Sequence, residues 1–194
     1  IASHQLRTPL SVIRGYVTMI QEGVFGKATK RQTEVVGKIR TNTESLIELV
    51  NQLLSVSRIE SGRTTVEINR INLIPVCEEV ADFLSLKAKE RHLDLTCDKP
   101  KASMVLADAA KVKEVVTNLV ENALKYTNKG FVHVKFFDEP QFVRVEVQDS
   151  GNGLTKEDIG KLFQKFSRAA SAAVNGASGI GLGLYVCKRL IEAM

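Results

Sequence analysis

The segment S-H-Q-L-R-T-P-L at residues 3–10 places a histidine near a proline in a helical pattern. Leu6 and Leu10 belong to an apolar repeat, so His4 is predicted beside that repeat on the exposed face, with Thr8 one turn further on. A neutral imidazole is a nucleophile at neutral pH, because its ordinary pKa is about 6.5. Pro9 removes a helical hydrogen bond and bends a helix, at a cost of about 3 kcal/mol. The segment fits a nucleophilic histidine beside a helix bend, and an ordinary surface or core histidine is the alternative that spacing alone leaves open.

Amide and lysine side chains recur at helical spacing in N-L-V-E-N-A-L-K-Y-T, residues 118–127. Asn118, Asn122 and Lys125 stand at positions i, i+4 and i+7, which places them on one face of a helix. Amide oxygens can bind a hard cation such as Mg²⁺, and a lysine can meet phosphate charge. Exposed asparagine and lysine are also common on solvated helices, and the spacing by itself leaves both interpretations open.

Two glycine-rich segments follow. In D-S-G-N-G-L at 149–154, Asp149 ends a strand pattern, and its carboxylate can accept a hydrogen bond from an exocyclic amine. Gly151 and Gly153 would let another group approach the backbone. The segment G-I-G-L-G-L at 179–184 opens the last helical pattern, where backbone N–H groups favour phosphate. Its spacing is neither that of a Rossmann turn nor that of a Walker loop, and an ordinary loop remains the alternative for the first segment.

The composition limits the class of protein. The chain has 194 residues, 44% hydrophobic and 25% charged, which is typical of globular domains and excludes a disordered or fibrous chain. A net charge of +5 without a basic cluster predicts no nucleic-acid partner. No apolar run approaches the roughly 18 residues of a membrane span, so we expect no membrane contact within this stretch. Three widely spaced cysteines fit a reducing cytoplasm, and the start at Ile1 suggests a piece of a longer protein.

Apolar residues in the first sixty positions repeat at spacings of three and four, which is typical of amphipathic helices. The first repeat comprises Leu6, Leu10, Ile13, Val17, Ile20 and Val24, and the second Val36, Ile39, Thr43, Leu46, Val50 and Leu53, widened by Leu49 and Val56. Gly23 and Gly26 mark a loop between the two helices. A two-helix hairpin cannot bury both stripes, so we expect a homodimer with a four-helix bundle. Docking of the stripes on the rest of the same chain is the alternative.

After a boundary within residues 61–70 the pattern becomes that of an α+β domain. A helix is predicted at about 75–90, with short strands at Leu93–Cys97 and Met104–Leu106. Asp108 is predicted to cap a helix with a buried stripe comprising Val112, Val115, Val116, Leu119 and Ala123. Alternation predicts antiparallel strands at Phe131–Phe137 and Phe142–Gln148, and the Ala- and Ser-rich stretch Ser167–Ser178 is predicted to be a mobile loop.

Taken in order, these four motifs, with L-F-Q-K-F at 162–166, resemble the histidine kinases of two-component signalling over nearly the whole chain. Residues 1–62 resemble the dimerisation and histidine-phosphotransfer domain. Residues 68–194 resemble the catalytic ATP-binding domain, a two-layer α+β sandwich of the Bergerat type that gyrase-type and MutL-type ATPases share. Because the family's catalytic domain continues into further strands, we expect this one to be incomplete at its C-terminus.

The resemblance implies roles for individual residues. His4 would accept the phosphoryl group, Asn122 and Asn118 would bind Mg²⁺, and Asp149 would recognise the adenine of ATP. Further nucleotide contacts are expected from Lys125, Tyr126, Gly151, Gly153, Phe163, Arg168, Gly179, Gly181, Leu182 and Gly183. The implied function is autophosphorylation by Mg-ATP and transfer to an aspartate in the receiver domain of a response regulator. The implied location is the cytoplasmic part of a membrane-associated sensor.

One position departs from the family pattern. Gln5 stands where the family usually has an acidic residue that can take the imidazole proton. An amide cannot act as that base, although it can hold the imidazole tautomer. Gln5 and Thr8 still form an amide and hydroxyl pair able to position a water, so dephosphorylation of the response regulator is also expected. The departure leaves a second hypothesis, a degenerate kinase that serves as a dimeric nucleotide-binding scaffold.

Hydrolysis of ATP by water is not expected. Related ATPases use a glutamate at the position of Asn118, and an amide cannot deprotonate water. Glu121 is adjacent to Asn122 in sequence, so on a helix it points about 100° away from it.

Overall fold

The computed structural model describes residues 2–100, 103–167 and 181–194, with the backbone alone for residues 2–7. The described residues divide into two compact units, and the boundary lies between Gly62 and Arg63. The first unit is helical and the second is mixed α and β, so the predicted order of fold classes is confirmed. Within the described residues no helix is both long and apolar enough to cross a membrane.

The first unit is an antiparallel pair of helices, α1 at Ala2–Gln21 and α2 at Lys30–Glu60. The loop between them contains Gly23 and Gly26, both with positive φ, as the break in the pattern predicts. Thr29 caps α2, since its hydroxyl accepts from the Gln32 amide while its own N–H donates to the Gln32 side chain. Val24 was assigned to the helical repeat by spacing, but it lies exposed in the loop, because α1 ends at Gln21.

Only part of each apolar stripe is buried within this unit. On α2, Thr43 and Val50 are buried, whereas Ile39, Leu46 and Leu53 stay 44%, 46% and 40% exposed. The exposed members repeat every seven residues, so they form a second stripe beside the buried one. On α1, Leu10 and Val17 are likewise buried while Ile13 is exposed. We call the residues Ile39, Leu46 and Leu53 the open stripe of α2.

The second unit contains five strands and four helices within the described residues. In chain order they are β1 at Asn69–Asn72, α3 at Leu73–Glu90, β2 at Leu93–Cys97, β3 at Met104–Ala107, α4 at Ala109–Tyr126, β4 at Gly130–Asp138, β5 at Val143–Asp149, α5 at Lys156–Lys161 and α6 at Gly183–Ala193. Strand β4 is central, parallel to β2 and antiparallel to β5, and β1 pairs antiparallel with β3. Strand β1 was not predicted, because its four residues N-R-I-N have no apolar alternation.

Helices α3 and α4 cover one face of the larger sheet and form the core with it. The predicted stripe of α4 needs one correction. Leu119 is half-buried, whereas Val120 and Leu124 are fully buried. The stripe is wider than predicted because α4 packs against α3 and the sheet on one side and against α6 on the other. At the α6 contact, the buried Cys187 thiol donates to the Val115 carbonyl at 3.8 Å, and burial raises the pKa of this thiol to about 12.

Asp108 joins the start of the second unit to α4. Its carboxylate accepts from the Ala110 and Lys111 amides, as the predicted cap requires, and also from the Glu67 amide at 3.0 Å. The hydrogen bond from Glu67 and those from the helix amides lower the pKa of Asp108 below its ordinary value of 3.8. Asp108 therefore caps α4 and also links its start to Glu67, which lies 41 positions earlier in the sequence.

We expect Asp108→Ala to lower the free energy of unfolding at pH 7 by about 1–3 kcal/mol, because three backbone donors lose their acceptor. Since the folded pKa lies below the ordinary value, the stabilisation is complete well above pH 3.8 and disappears as the pH falls through the folded pKa. Urea unfolding at pH 7 and at decreasing pH measures both effects. Asp94→Ala, at an exposed position of β2, is the matched control. A difference between wild type and Asp108→Ala that does not shrink in acid would contradict the assignment.

Candidate functional site

The predicted phosphoacceptor segment lies in the first turns of α1. The backbone of His4 and Gln5 is helical, and their side chains are outside the described part of the structure. Pro9 lies inside the helix, so the Gln5 carbonyl has no i+4 amide donor at this point. Thr8 and Pro9 are exposed, whereas Leu10 is buried. Thr8 therefore lies on the exposed face of α1, as the spacing predicts.

Asn118 of α4 lies against the first residue of α6. Its amide nitrogen donates to the Glu114 carbonyl at 3.0 Å, which directs the amide oxygen away from the α4 backbone. That oxygen is 3.1 Å from the point where a Cβ on Gly183 would stand. Asn122 and Lys125, further along the same face, are half-buried. The structure thus brings the asparagine motif and the second glycine motif together, across 65 positions of sequence.

The C-terminal end of α4 lies against the first glycine motif. A Cβ on Gly151 would stand 2.8 Å from the Tyr126 carbonyl oxygen and 2.7 Å from an Asp149 carboxylate oxygen. The same carboxylate oxygen accepts from the Gly151 amide at 2.8 Å, which holds the turn after β5 closed. Glycine at this position lets the turn and the end of α4 touch. The Lys125 ammonium lies 5.2 Å from the centre of the Tyr126 ring.

The end of the phenylalanine motif lies against Gly181 of the second glycine motif. Gly181 has φ of +75°, and a Cβ there would stand 2.2 Å from the Ser167 carbonyl oxygen. The Lys165 ammonium lies 5.3 Å from the centre of the Tyr185 ring on α6, which holds the same two segments together. Phe163 is exposed nearby in sequence. Both segments are thereby fixed beside the N-terminus of α6.

The remaining predicted residues are placed as follows. Leu182 is fully buried, so its side chain belongs to the core, and only its backbone is available to a ligand. Gly153 has positive φ with open space around it. Arg168, Gly179 and the predicted loop after Ser167 lie outside the described residues.

The groups in this arrangement could bind a phosphate anion together with its metal ion. The N-cap of α6, Leu182, makes no side-chain capping bond, so the first-turn amides have no side-chain cap as acceptor. Amides in that position favour phosphate. Among the residues that the structure describes, no three His, Cys, Asp or Glu side chains form a metal-binding group. The amide oxygens of Asn118 and Asn122 are suitable ligands here, because Mg²⁺ keeps several waters and takes few protein ligands beside phosphate.

Sequence reasoning missed two groups at this site. The Arg91 guanidinium donates to the Lys125 carbonyl at 3.4 Å, which adds a cation at the C-terminal end of α4. Tyr185 was also missed, although it lies two residues after Gly183 in the first turn of α6. Its position after the glycines was a usable signal, whereas Arg91 lies outside every motif.

Comparison with known proteins gives the family. Residues 1–62 match the His Kinase A (phospho-acceptor) domain, and residues 107–194 match the Histidine kinase-, DNA gyrase B-, and HSP90-like ATPase. The chain is 33% identical over 201 residues to the sensor histidine kinase GacS of Pseudomonas protegens, covering 99% of this chain and 21% of GacS. It is 31% identical to the histidine-protein kinase BaeS of Escherichia coli, covering 98% of this chain and 40% of BaeS.

Among solved structures, the chain is similar to full-length ShkA in complex with AMPPNP, with a TM-score of 0.79 and 26% identity. That similarity covers all of this chain and 40% of ShkA. The chain belongs to the histidine kinase family, and it carries a phosphoacceptor domain followed by an ATPase-type domain. It spans about a fifth of the length of GacS and two fifths of the length of BaeS.

We expect Gly181→Ala to disrupt the site, whereas Gly62→Ala, at a glycine that also has positive φ but open space around it, should leave the site intact. Both residues have positive φ, so each substitution has a backbone cost of about 1–2 kcal/mol. Only at Gly181 would the new methyl group also overlap the backbone of Ser167. Gly181→Ala should therefore lower the melting temperature further and weaken ATP binding. Calorimetry and nucleotide titration measure the two effects, and equal losses in the two variants would show that the close contact is unimportant.

Proposed function

We propose that this chain is the catalytic core of a sensor histidine kinase that binds Mg-ATP in its second unit and phosphorylates His4. The observation that supports this proposal is the contact between Asn118 and Gly183, because it joins a potential metal ligand to a helix N-terminus that favours phosphate. The contact of Gly151 with Tyr126 adds Asp149 at the C-terminal end of the same helix, about two turns beyond Asn118. The base would then lie near the C-terminal end of α4, and the phosphates near Asn118.

The proposed reaction is a phosphoryl transfer. A nitrogen of the neutral His4 imidazole attacks the γ-phosphorus, and the bond from this phosphorus to the bridging oxygen breaks, so that ADP leaves. The ring proton is released to solvent or to a phosphate oxygen. Mg²⁺ would neutralise the charge that develops on the phosphate oxygens. The protein would contribute mainly positioning and electrostatic stabilisation, since the transition state is loose.

The position of Glu121 supports transfer to histidine over transfer to water. Its carboxylate pairs with the Lys87 ammonium of α3 at 2.7 Å, on a different face of α4 from Asn122. Asn118 carries an amide at the place where the hydrolytic relatives have a base. Glu121 is thus engaged with α3 and does not lie beside Asn122, and we propose that the γ-phosphoryl group is kept for His4.

We further propose that phospho-His4 passes its phosphoryl group to an aspartate in the receiver domain of a response regulator. Gln5 would orient the imidazole rather than deprotonate it, because loss of the ring proton can follow attack in a loose transition state. Gln5 and Thr8 could also position a water for dephosphorylation of the regulator. The chain would act in the cytoplasm as part of a membrane-associated sensor.

A homodimer is proposed on the open stripe of α2. Ile39, Leu46 and Leu53 are each at least 40% exposed in a single chain, and they lie one heptad apart. A second copy could cover this stripe and complete a four-helix bundle. Burial of a leucine contributes roughly 1.5–3 kcal/mol, and a symmetric dimer buries each position twice.

Leu46→Lys is expected to dissociate the dimer. Because two buried leucines would be lost, the dissociation constant should rise on the order of a hundredfold or more. Sedimentation equilibrium measures the constant, and circular dichroism checks that the helices remain. Thr41→Lys, at an exposed position of the same helix, is the matched control and should leave the dimer unchanged. If both variants remain dimeric at the same concentration, the two-fold interface lies elsewhere.

The proposed activity is tested by two variants of the full-length protein. His4→Ala should bind Mg-ATP as wild type does, yet incorporate no acid-labile phosphate from γ-labelled ATP. Asn122→Ala should weaken ATP binding in the presence of Mg²⁺ at least about tenfold. It should therefore also incorporate little acid-labile phosphate. Equal labelling of His4→Ala would end the assignment of His4. A wild type that binds ATP but accepts no label would favour the scaffold hypothesis.

A further inference from the structure

Helices α3 and α4 are joined on their outer surface by three polar contacts that share one spacing. In each contact the two partners are 34 positions apart in sequence. The contacts are the ion pairs Glu79–Lys113 and Lys87–Glu121, and the hydrogen bond from the Arg91 guanidinium to the Lys125 carbonyl. Because each step along α3 matches an equal step along α4, the two helices run parallel, and their C-terminal ends lie side by side.

The Arg91 contact differs from the two ion pairs, because its acceptor is the backbone of α4. Ion pairs between exposed side chains contribute little to stability. The last four carbonyls of a helix, by contrast, lie outside its own ladder of hydrogen bonds and need other donors. Lys125 is the next-to-last residue of α4, so its carbonyl belongs to this group. The guanidinium donates to it at 3.4 Å, and a cation is favourable beside the negative end of the helix dipole.

The residues after Lys125 are held by other contacts. Thr127 is fully buried, and the Tyr126 carbonyl oxygen is 2.8 Å from the point where a Cβ on Gly151 would stand. The chain leaves the helix at Thr127, whose backbone is extended. Arg91 therefore holds the peptide of Lys125, whereas the core and the turn after β5 hold the two residues that follow.

Lys125 has a side chain suited to phosphate. It is half-buried and lies on the same helix face as Asn118 and Asn122. A lysine meets phosphate as a point charge on a long flexible stem, so the place of its ammonium depends on where its backbone stands. A helix end that frays would move that backbone and weaken the charge at the phosphates. The contact from Arg91 opposes such fraying.

We propose that Arg91 is a positioning residue of the nucleotide site, which holds the last turn of α4 so that the Lys125 ammonium meets the phosphates of ATP. The inference rests on the proposed function and deepens it, since it adds to that site a residue from outside every motif. Arg91 acts through the Lys125 backbone and does not itself touch the nucleotide. Loss of its guanidinium should therefore weaken ATP binding only while the Lys125 ammonium is present.

The first part of the test removes the guanidinium from the full-length protein. Arg91→Met keeps the apolar stem and removes the donors, so the dissociation constant for Mg-ATP should rise roughly three- to tenfold. Arg91→Lys keeps the charge and a donor and should recover part of this loss. Lys89→Met removes a cation from an exposed position of α3 two residues earlier, and it should change the constant less than about twofold. Titration calorimetry measures the constants.

The second part repeats Arg91→Met in a Lys125→Met background. This background keeps the carbonyl that Arg91 contacts and removes only the ammonium, with higher ATP concentrations used where binding is weak. Arg91→Met should then change the dissociation constant less than about twofold, because the group through which it acts is gone. A merely structural role of Arg91 would weaken binding by the same factor in both backgrounds.

The outcomes separate the inference from the proposed function. If Arg91→Met binds Mg-ATP as wild type does, or loses the same factor in both backgrounds, the inference is overturned and the proposed function stands. A wild type that binds no ATP would overturn both. Circular dichroism checks the fold of each variant. Should Arg91→Met not fold, Arg91→Gln, whose amide is too short to reach the carbonyl, takes its place in both parts, with the same results expected.

Discussion

Helix α4 has contacts on almost every side, and this constraint organises the second unit. Buried residues such as Val120 and Leu124 face α3 and the sheet, and Val115 faces α6. What remains is a narrow face with Asn118, Asn122 and Lys125, half-buried between the packed sides. A polar strip held in this way loses little side-chain freedom when a ligand binds, so its groups are positioned before the ligand arrives. The apolar packing of α4 is thus also the means by which the polar groups are placed.

Close backbone contact is the second requirement, and glycine provides it at three places. At Gly183 the neighbour is a side-chain oxygen of α4, at Gly151 it is a carbonyl of α4, and at Gly181 it is the carbonyl of Ser167. In each case a methyl group would stand closer than ordinary van der Waals contact allows. The glycines of these motifs therefore allow close contacts between segments, in addition to forming turns.

Much of this organisation is visible in the sequence, for identifiable reasons. The alternation in β4 and β5 and the cap at Asp108 are local signals, and the structure confirms them. The width of the α4 stripe was underestimated, since Val120 is buried by contacts that a single-helix pattern does not encode. Strand β1 was missed because its formation depends on pairing with β3 and on the hydrogen bond from the Glu67 amide to the Asp108 carboxylate. The Arg91 contact with Lys125 was missed for the same reason, since it joins residues 34 positions apart.

The contact between Ser167 and Gly181 has a consequence for changes in the length of the chain. Thirteen residues separate these two positions, and their ends are fixed within one short backbone contact. The entropy of closing a chain segment grows only with the logarithm of its length, so doubling such a segment costs about 0.6 kcal/mol. A change in the number of residues between these two positions would therefore cost the domain little stability. A side chain at Gly181 would cost much more, because its Cβ would overlap the backbone of Ser167.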